Sequence, residues 1–521
     1  MGEANRPGRM FGRRRATPPM ETLAGRTVVG LTPDGTLRAG RLAGLSLRRA
    51  IWVLSWPILI ESLLNSFVGL TDTVLAAALW NGDAATDAIG GASYIVWFIG
   101  LVIMSLGIGA TALVSRSVGA GRLAVANAAL AQTLMLAVVL GVAVGLLVAG
   151  LAGPVASLMK MPDDRATMFT HYLWIVSAGV PLTAILFAGI ACARGAGDSV
   201  RPLYAMVAVN VVNILASWAF SGVDLARTRM VDGELVRQVF LNNPFGFDLG
   251  VKGIAIGTVL AHAVGASIII MMAVRGTWGI RLVRHRLRPH WHTIRRLVRV
   301  GLPNLSETFG LWVGNFMIVI MVGWLGAEGM LGSHIVAIRI EAFSFLPGFA
   351  MGAAAATLAG QYLGAGSPAM ARRAVLYCVL IASVVMGGMG LLLAMMPREI
   401  TGLLTSQEVH LEHVPPLLII CGVVQIPFAI AIVTRSAMRG AGDVKMVMLL
   451  TWVTTYGVRL PLAYALSGVD LKLAENLVLE NPFRAEPSLS WLWVAMCAEL
   501  VVRGAVFGAR FMWGGWTKAR V

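Results

Sequence analysis

The stretch Arg194-Gly-Ala-Gly-Asp198 occurs a second time as Arg439-Gly-Ala-Gly-Asp443, 245 positions further along the chain. Ser221-Gly-Val-Asp-Leu225 likewise returns letter for letter as Ser467-Gly-Val-Asp-Leu471, at a shift of 246. A register that holds over this distance indicates two copies of one structural unit. A duplicated hydrophobic unit is typical of secondary transporters, in which two similar halves move about a shared site.

The residues around these motifs keep the same register. Pro57 and Glu61 correspond to Pro303 and Glu307 at a shift of 246. A proline inside a helix bends it or leaves a carbonyl group free, so both halves are expected to have a modified first helix. Each glutamate follows its proline by about one turn. We expect the two glutamates to line an inner cavity or to bond across helices.

The composition is that of a membrane protein. Of the 521 residues, 57% are hydrophobic and only 13% are charged, and the mean hydropathy is +0.77. Lys plus Arg number 42 against 26 Asp plus Glu, and the basic residues concentrate in residues 1–49 and 275–299. This asymmetry predicts a cell (inner) membrane protein whose two termini are cytoplasmic. Nucleic acid is not a predicted partner, because no polar segment interleaves basic and aromatic residues.

Twelve apolar windows, six in each half, are long enough to cross the ~30 Å hydrocarbon core, which takes about 20 residues. They lie near residues 51–80, 92–117, 125–152, 169–193, 201–221, 250–274, 298–326, 333–362, 374–397, 414–438, 445–467 and 489–513. None of these windows alternates apolar and polar residues as a strand of a transmembrane β-barrel would. The predicted fold class is an all-α polytopic membrane protein with twelve transmembrane helices in two six-helix pseudo-symmetric lobes.

These windows divide the chain into four parts. Residues 1–44 are rich in Pro and Arg without an apolar segment, which predicts a disordered basic cytoplasmic tail. Residues 45–275 are the predicted N-terminal lobe, 276–297 a cytoplasmic linker and 298–521 the C-terminal lobe. The four cysteines stand singly and mostly within apolar stretches, so we interpret them as packing residues.

The repeated Arg-Gly-Ala-Gly-Asp motif follows the fourth span and the tenth. Glycine commonly ends a helix, and Asp commonly caps the next one. We therefore interpret the motif as structural, with its Arg at the cytoplasmic face.

Asp72 is the most informative polar residue within a span. A mid-span carboxylate costs roughly 2.5–3.5 kcal/mol and therefore needs a reason to be there. The apolar run from Thr73 to Trp80 places Asp72 about 12 Å below the outer end of the first helix. The same counting on helices five and six brings four polar residues to similar depth: Asn213, Ser217, Thr258 and His262.

A carboxylate surrounded by neutral oxygens can bind a proton or Na⁺. The alternative is that Asp72 only accepts hydrogen bonds between helices. For His262, which lies one turn from Thr258, a helix-to-helix hydrogen bond is favoured over a proton relay.

The second half gathers charges of both signs at the same depth: Arg339, Glu341, Arg459, Glu499 and Arg503. Arg459 is the counterpart of Asn213 at a shift of 246, so the two halves differ in charge. Glu499 and Arg503 are spaced i, i+4 and are expected to pair on one helix. This leaves Glu341 as the expected partner of Arg459.

Together these residues resemble the multidrug and toxic compound extrusion (MATE) transporters over roughly Leu45 to Trp513. The resemblance rests on Pro57-Ile-Leu-Ile-Glu61, Thr71-Asp72-Thr73, Arg339-Ile-Glu341, Phe345-Leu-Pro-Gly348, Gly360-Gln-Tyr-Leu-Gly-Ala-Gly366 and both Arg-Gly-Ala-Gly-Asp copies. It implies twelve helices in two lobes around a central cleft. It also implies export of small organic, often cationic, compounds driven by inward flow of H⁺ or Na⁺, by a monomer without another cofactor.

The resemblance also implies a cation-coupling site in the first lobe. In members with such a site, it uses Asp on helix one, Asn on helix five with Asp four residues later, and Thr on helix six. Asp72, Asn213 and Thr258 match, whereas Ser217 stands at the second acidic position, so a single carboxylate remains. Further cavity or coupling candidates are Glu61, Glu307, His262, Glu341 and Arg459.

The predicted function is therefore a cation-coupled antiporter that exports organic compounds. One alternative is a flippase for lipid-linked oligosaccharides in the same superfamily, which typically has more helices and a strongly cationic cleft. An enzyme is not predicted, because the sequence shows no convergent acid-base, nucleophile or metal-ligand group. No metal ion is expected beyond a Na⁺ at Asp72.

Overall fold

The computed structural model describes residues 22–23, 26–27, 30–80, 82–231, 234–326, 328–474, 477–483 and 486–519. The helices in these residues are α1 (Leu47–Ala77), α2 (Gly82–Gly119), α3 (Leu123–Leu158), α4 (Asp163–Gly195), α5 (Val200–Ser221), α6 (Gly250–Arg275), α7 (Trp291–Gly323), α8 (Met330–Gly364), α9 (Pro368–Met395), α10 (Pro397–Gly402), α11 (Glu408–Val423), α12 (Gln425–Ala441), α13 (Val444–Thr454), α14 (Leu460–Ser467) and α15 (Leu489–Trp513). A π-helical turn, Thr455–Arg459, joins α13 to α14.

Three short antiparallel hairpins accompany the helices. Their strands are β1 (Thr22–Leu23), β2 (Arg26–Thr27), β3 (Leu225–Val231), β4 (Glu234–Leu241), β5 (Leu471–Ala474) and β6 (Leu477–Leu479). The β3–β4 and β5–β6 hairpins occupy matching places in the two halves, directly after the repeated Ser-Gly-Val-Asp stretch. They add to the predicted fold without changing its class.

The helices confirm the predicted membrane-spanning architecture. Among the described residues, eleven helices are long and apolar enough to span a membrane when α13 to α14 count as one, and the bent pair α11–α12 makes twelve. The two helices of that pair meet at 59°. Pro427 lies in the first turn of α12 and has no N–H for the carbonyl group of Val423, so a straight helix cannot continue through this point.

The two lobes have corresponding interiors. In the first lobe α4 packs against α2, α3 and α6, and in the second lobe α12 packs against α8, α9 and α15. Helix α7 begins at Trp291, so it includes residues of the predicted linker 276–297. The hydropathy of the chain did not show this early start because the first turns of α7 are rich in Arg and His. The His290 side chain caps the helix by accepting a hydrogen bond from Thr293 N.

The lobes meet at one end of the molecule, which we call the closed end. There α2 packs against α7 and α8 so tightly that a Cβ atom on Gly119 would overlap the carbonyl oxygen of Gln361. Gln361 Nε2 also donates to the carbonyl oxygen of Gly195 at 3.0 Å. Glycine at position 119 thus lets the backbones of the two lobes touch.

The lobes separate toward the opposite end. Between Ala350 and Tyr362, helix α8 is buried on most sides, whereas between Leu331 and Phe349 it is buried along one face only. The buried part of α1 likewise narrows to a single stripe beyond Glu61. Away from the closed end, α1 and α8 therefore expose most of their surface.

Residues 30–44 form an ordered segment across the closed end. Leu31, Leu37 and Leu42 are at most 2% exposed and belong to the core formed by α8, α9 and α12. Arg41 reaches the first lobe, where its Nε lies 3.1 Å from Asp198 Oδ2. The prediction of a disordered tail is therefore wrong for residues 30–44, because three leucines in a polar stretch supply enough apolar surface to dock it. Residues 1–21 lie outside the described residues.

Replacing Leu37 with Asp is expected to destabilise the protein by about 3 kcal/mol. Burial of one leucine contributes about 1.5–3 kcal/mol, and a buried carboxylate without a partner adds a further cost. Unfolding of the purified protein, followed by tryptophan fluorescence, measures the change. Pro33→Asp places the same carboxylate on an exposed residue of the segment. Equal stability of the two variants would contradict the docking of this segment.

Candidate functional site

The candidate site is built around the carboxylate of Asp72, which faces the interior of the first lobe and is 3% exposed. Tyr172 Oη donates to its Oδ2 at 2.9 Å, and Thr258 Oγ1 lies 3.0 Å from both carboxylate oxygens. Asn213 Nδ2 approaches Oδ1 at 3.4 Å. Among the described residues no basic side chain pairs with Asp72. Four helices thus converge on one carboxylate through neutral donors alone.

Helices α5 and α6 supply the second layer of this site. Asn213 Nδ2 lies 3.0 Å from Thr258 Oγ1 and 3.3 Å from Ser217 Oγ, and the Ser217 hydroxyl donates to the carbonyl oxygen of Ile254. Ser217 therefore supports Asn213 and does not contact the carboxylate through any of these bonds. Asn213 Oδ1 is buried and has no donor in the described part of the chain. This leaves an oxygen of the kind that hard cations take as a ligand.

The close approach of α5 to α6 depends on Gly257. A Cβ atom at this position would overlap the backbone nitrogen and the hydroxyl of Ser217. Glycine therefore lets Thr258, the next residue, come within hydrogen-bonding distance of both Asn213 and Asp72.

Gly257→Ala is expected to lower stability by about 1–3 kcal/mol, the usual cost of overpacking a tight interior. It should also move Thr258 away from Asp72 and weaken any ion binding there. Gly100→Ala in α2 is the matched control, because no atom lies within 4 Å of its Cβ position. Alanine in an open helical position stabilises by about 0.5–1 kcal/mol. Thermal unfolding that shifts equally in both variants would contradict the role of Gly257.

Tyr172 is the member of the site that the sequence prediction missed. Depth counting was applied to helices one, five and six, but Tyr172 belongs to α4. It lies nine residues after Asp163, where α4 begins, and therefore about 14 Å from that end of the helix. This depth matches that of Asp72. Extending the same counting to helix four would have found it.

His262 does not join the Asp72 group through any described contact. Its Nδ1 lies 3.0 Å from Thr183 Oγ1, and its ring packs edge-on against Phe187. Both partners belong to α4. The favoured interpretation, a hydrogen bond between helices, agrees with this geometry.

Glu61 and Glu307 make equivalent ion pairs in the two lobes. Arg194 Nη2 lies 2.7 Å from Glu61 Oε2, and Arg439 Nη2 lies 2.7 Å from Glu307 Oε1. The arginines are those of the repeated Arg-Gly-Ala-Gly-Asp motif. Each arginine stands in the last turn of the fourth helix of its lobe and ties that helix to the first.

Arg459 pairs with Glu499, contrary to the expectation that Glu341 is its partner. Arg459 Nη2 lies 3.0 Å from Glu499 Oε2, and Arg503 Nε lies 2.7 Å from Glu499 Oε1. Glu341 makes no ion pair with Arg459 within 4 Å among the described residues, although its charge still acts on that arginine. Because Arg459 ends the π-helical turn Thr455–Arg459, its direction differs from that expected of a regular helix.

Comparison with known proteins agrees with this architecture. The sequence profile of the MatE family matches residues 57–219 and 303–465, one stretch in each lobe. The probable multidrug resistance protein NorM of Thermotoga maritima is 24% identical over 91% of this chain and 94% of its own length. The multidrug resistance protein PmpM of Pseudomonas aeruginosa is 24% identical over 82% of this chain and 86% of its own length.

Solved structures share the fold. A crystal structure of MATE in the bent conformation has a TM-score of 0.77 and 20% identity, and the alignment covers 90% of this chain and 94% of that one. The outward-facing conformation of a multidrug resistance MATE family transporter has a TM-score of 0.78 and 19% identity, with 91% and 97% covered. With its duplicated lobes, its twelve spans and a family match over both halves, this chain belongs to the MatE family of multi-pass membrane transporters, the multidrug and toxic compound extrusion proteins.

Proposed function

We propose that the protein is a secondary active antiporter that exports organic compounds, above all cationic ones, in exchange for H⁺ or Na⁺ bound at Asp72. The observation that carries this proposal is a buried carboxylate that, in the described part of the chain, is held by neutral groups alone, those of Tyr172, Asn213 and Thr258. An isolated charge in a membrane interior is expensive. A proton or a cation on Asp72 removes that cost.

Helix α1 connects this site to the contact between the lobes. Its inner half contributes Ile51 and Leu54 to a core shared with Ala354 and Leu358 of α8 in the other lobe. Binding of an ion neutralises Asp72 and weakens its hydrogen bonds to α4, α5 and α6. Ion occupancy thereby changes how firmly α1 is held within its own lobe, which shifts the balance between the two open states of the transporter.

The orientation follows from the basic segments. Arg41 and the basic residues around 275–299 lie at or near the closed end. Under the positive-inside bias this end is cytoplasmic, both termini are in the cytoplasm, and the cleft faces outward. We place the protein in the cell (inner) membrane as a monomer, since one chain holds a complete site and cleft. The similarity to NorM and PmpM, which are named as multidrug resistance proteins, supports multidrug efflux.

Uptake of a fluorescent organic cation into inverted vesicles tests the proposal. The gradients of H⁺ and Na⁺ are imposed separately, and vesicles without the protein give the background. We expect accumulation above equilibrium with one of the gradients and its collapse when an ionophore dissipates that gradient. Failure to accumulate any of several cations with either gradient would contradict antiport and favour the lipid-linked oligosaccharide flippase.

A further inference from the structure

The interior of the second lobe carries more positive than negative charge. Its charged residues are four arginines and three glutamates: Arg435, Arg439, Arg459, Arg503, Glu307, Glu341 and Glu499. Four minus three leaves one uncompensated positive charge. In the first lobe, Asp72 has no basic partner among the described residues, whereas the buried carboxylates Glu61 and Asp198 are paired with arginines.

Two of the three carboxylates are fully engaged by other arginines. Arg439 binds both oxygens of Glu307, at 2.7 and 3.1 Å, and Thr451 Oγ1 donates to Oε1 at 2.8 Å. Glu499 is held between Arg459 and Arg503 at 3.0 and 2.7 Å. Of the four arginines, Arg435 is left with the longest ion-pair contact.

Arg435 lies between the two groups without a close acceptor. Its nearest ion-pair contact runs from Nη1 to Glu307 Oε1 at 3.9 Å, and its side chain is 12% exposed. Its Nε is buried and has no acceptor among the described residues. A guanidinium group has five N–H donors, and a buried charge that is not paired is strongly unfavourable. Among the described residues, Arg435 therefore has no anion within hydrogen-bonding distance.

The repeat shows that Arg435 is not part of the scaffold common to both lobes. The Glu307–Arg439 pair returns as Glu61–Arg194, but the counterpart of Arg435 at a shift of 245 is Ile190. Ile190 is buried in the first lobe. The fold thus accepts an apolar residue at this position, and the charge is specific to the second lobe.

We propose that Arg435 is the anion-binding residue of the second lobe and takes a carboxylate group or an inorganic anion of similar size. The inference deepens the proposed function, on which it rests, because it gives the two lobes opposite polarity. Asp72 binds a cation in one lobe, and Arg435 binds an anionic group in the other. An organic compound that carries a carboxylate then has a specific partner within the transporter.

Equilibrium dialysis of the purified protein with radiolabelled benzoate and benzamide tests the site. Both probes have the same ring, but benzoate carries a charged carboxylate where benzamide carries a neutral amide. We expect benzoate to bind at least about tenfold more tightly than benzamide, because a hydrogen bond between two charged groups is stronger than one to a neutral amide. Equal binding of the two probes, without any effect of chloride, would overturn the proposal.

Three variants assign the binding to the residue. Arg435→Gln should reduce benzoate affinity about tenfold and leave benzamide unchanged, whereas Arg435→Lys should keep most of the preference because it keeps the charge. Arg398→Gln, which removes the charge of an exposed arginine of α10, should bind both probes as the wild type does. Size-exclusion profiles confirm that each variant is folded. Should Arg435→Gln misfold, loss of the preference in folded Arg435→Lys would still overturn the proposal.

Competition by chloride at constant ionic strength, with isethionate as the balancing ion, separates the two sources of the anion. Displacement of benzoate by chloride in the wild type supports an inorganic occupant, whereas binding that is insensitive to chloride supports a carboxylate site. Retention of the benzoate preference by Arg435→Gln overturns both. Because dialysis uses no gradient, a protein that shows this preference but no ion-driven transport would refute the antiport and leave the anion site intact.

Discussion

Asp72→Asn is expected to reduce ion-driven accumulation of an organic cation to the level of vesicles without the protein. The amide preserves the volume of the side chain and one accepting oxygen, but it carries no charge to be neutralised by H⁺ or Na⁺. Exchange of labelled for unlabelled substrate at equal concentrations should persist, since it needs no ion gradient. Uptake and exchange measured on the same vesicle preparation separate these two effects.

Asp164→Asn is the matched control for this experiment. It makes the same chemical change on an exposed residue in the first turn of α4, outside the site. It should accumulate substrate as the wild type does. Accumulation by Asp72→Asn equal to that of Asp164→Asn would remove Asp72 from the coupling mechanism.

Glu499→Gln is expected to destabilise the protein by about 3–5 kcal/mol, the cost of leaving a buried charge without its partner. Glu499 is fully buried, and it is the carboxylate that Arg459 and Arg503 share. Its removal leaves two guanidinium groups inside the second lobe with neutral partners only. Chemical unfolding of the purified protein in detergent gives the magnitude.

Two further variants show whether the unpaired charge causes this loss of stability. Glu412→Gln changes an exposed glutamate of α11 and should have little effect. Adding Arg459→Leu to Glu499→Gln removes one unpaired guanidinium and should recover part of the lost stability, so the two changes should not be additive. A Glu499→Gln protein as stable as Glu412→Gln would contradict the shared ion pair.

The Asp72 group was accessible from the sequence for a simple physical reason. A helix rises by a constant amount per residue, so an apolar span with clear ends fixes the depth of every polar side chain within it. Depth counting placed Asn213, Ser217, Thr258 and His262 level with Asp72. Of these, the structure brings Asn213 and Thr258 within hydrogen-bonding distance of the carboxylate. Tyr172 was missed because depth was not counted along helix four, where it lies at the same depth as Asp72.

The ion pairs of the second lobe were less accessible. Arg439 of the repeated motif was interpreted as part of a helix end because glycines follow it. Its partner, Glu307, lies 132 residues away in the chain. Glu499 was assigned to Arg503 by their i, i+4 spacing, and a second arginine on the same carboxylate was not foreseen. The π-helical turn before Leu460 alters the direction of Arg459, and hydrophobic periodicity does not reveal such a turn.

The most direct test of the account is the ion flux that a substrate gradient drives in proteoliposomes. An organic cation is loaded on one side without any ion gradient, and movement of H⁺ or Na⁺ is recorded with a pH-sensitive dye or radioactive sodium. For the wild type we predict ion movement opposite to that of the substrate, and for Asp72→Asn substrate movement with no ion movement. Equal ion flux through both proteins would contradict the central claim that Asp72 is where the coupling ion binds.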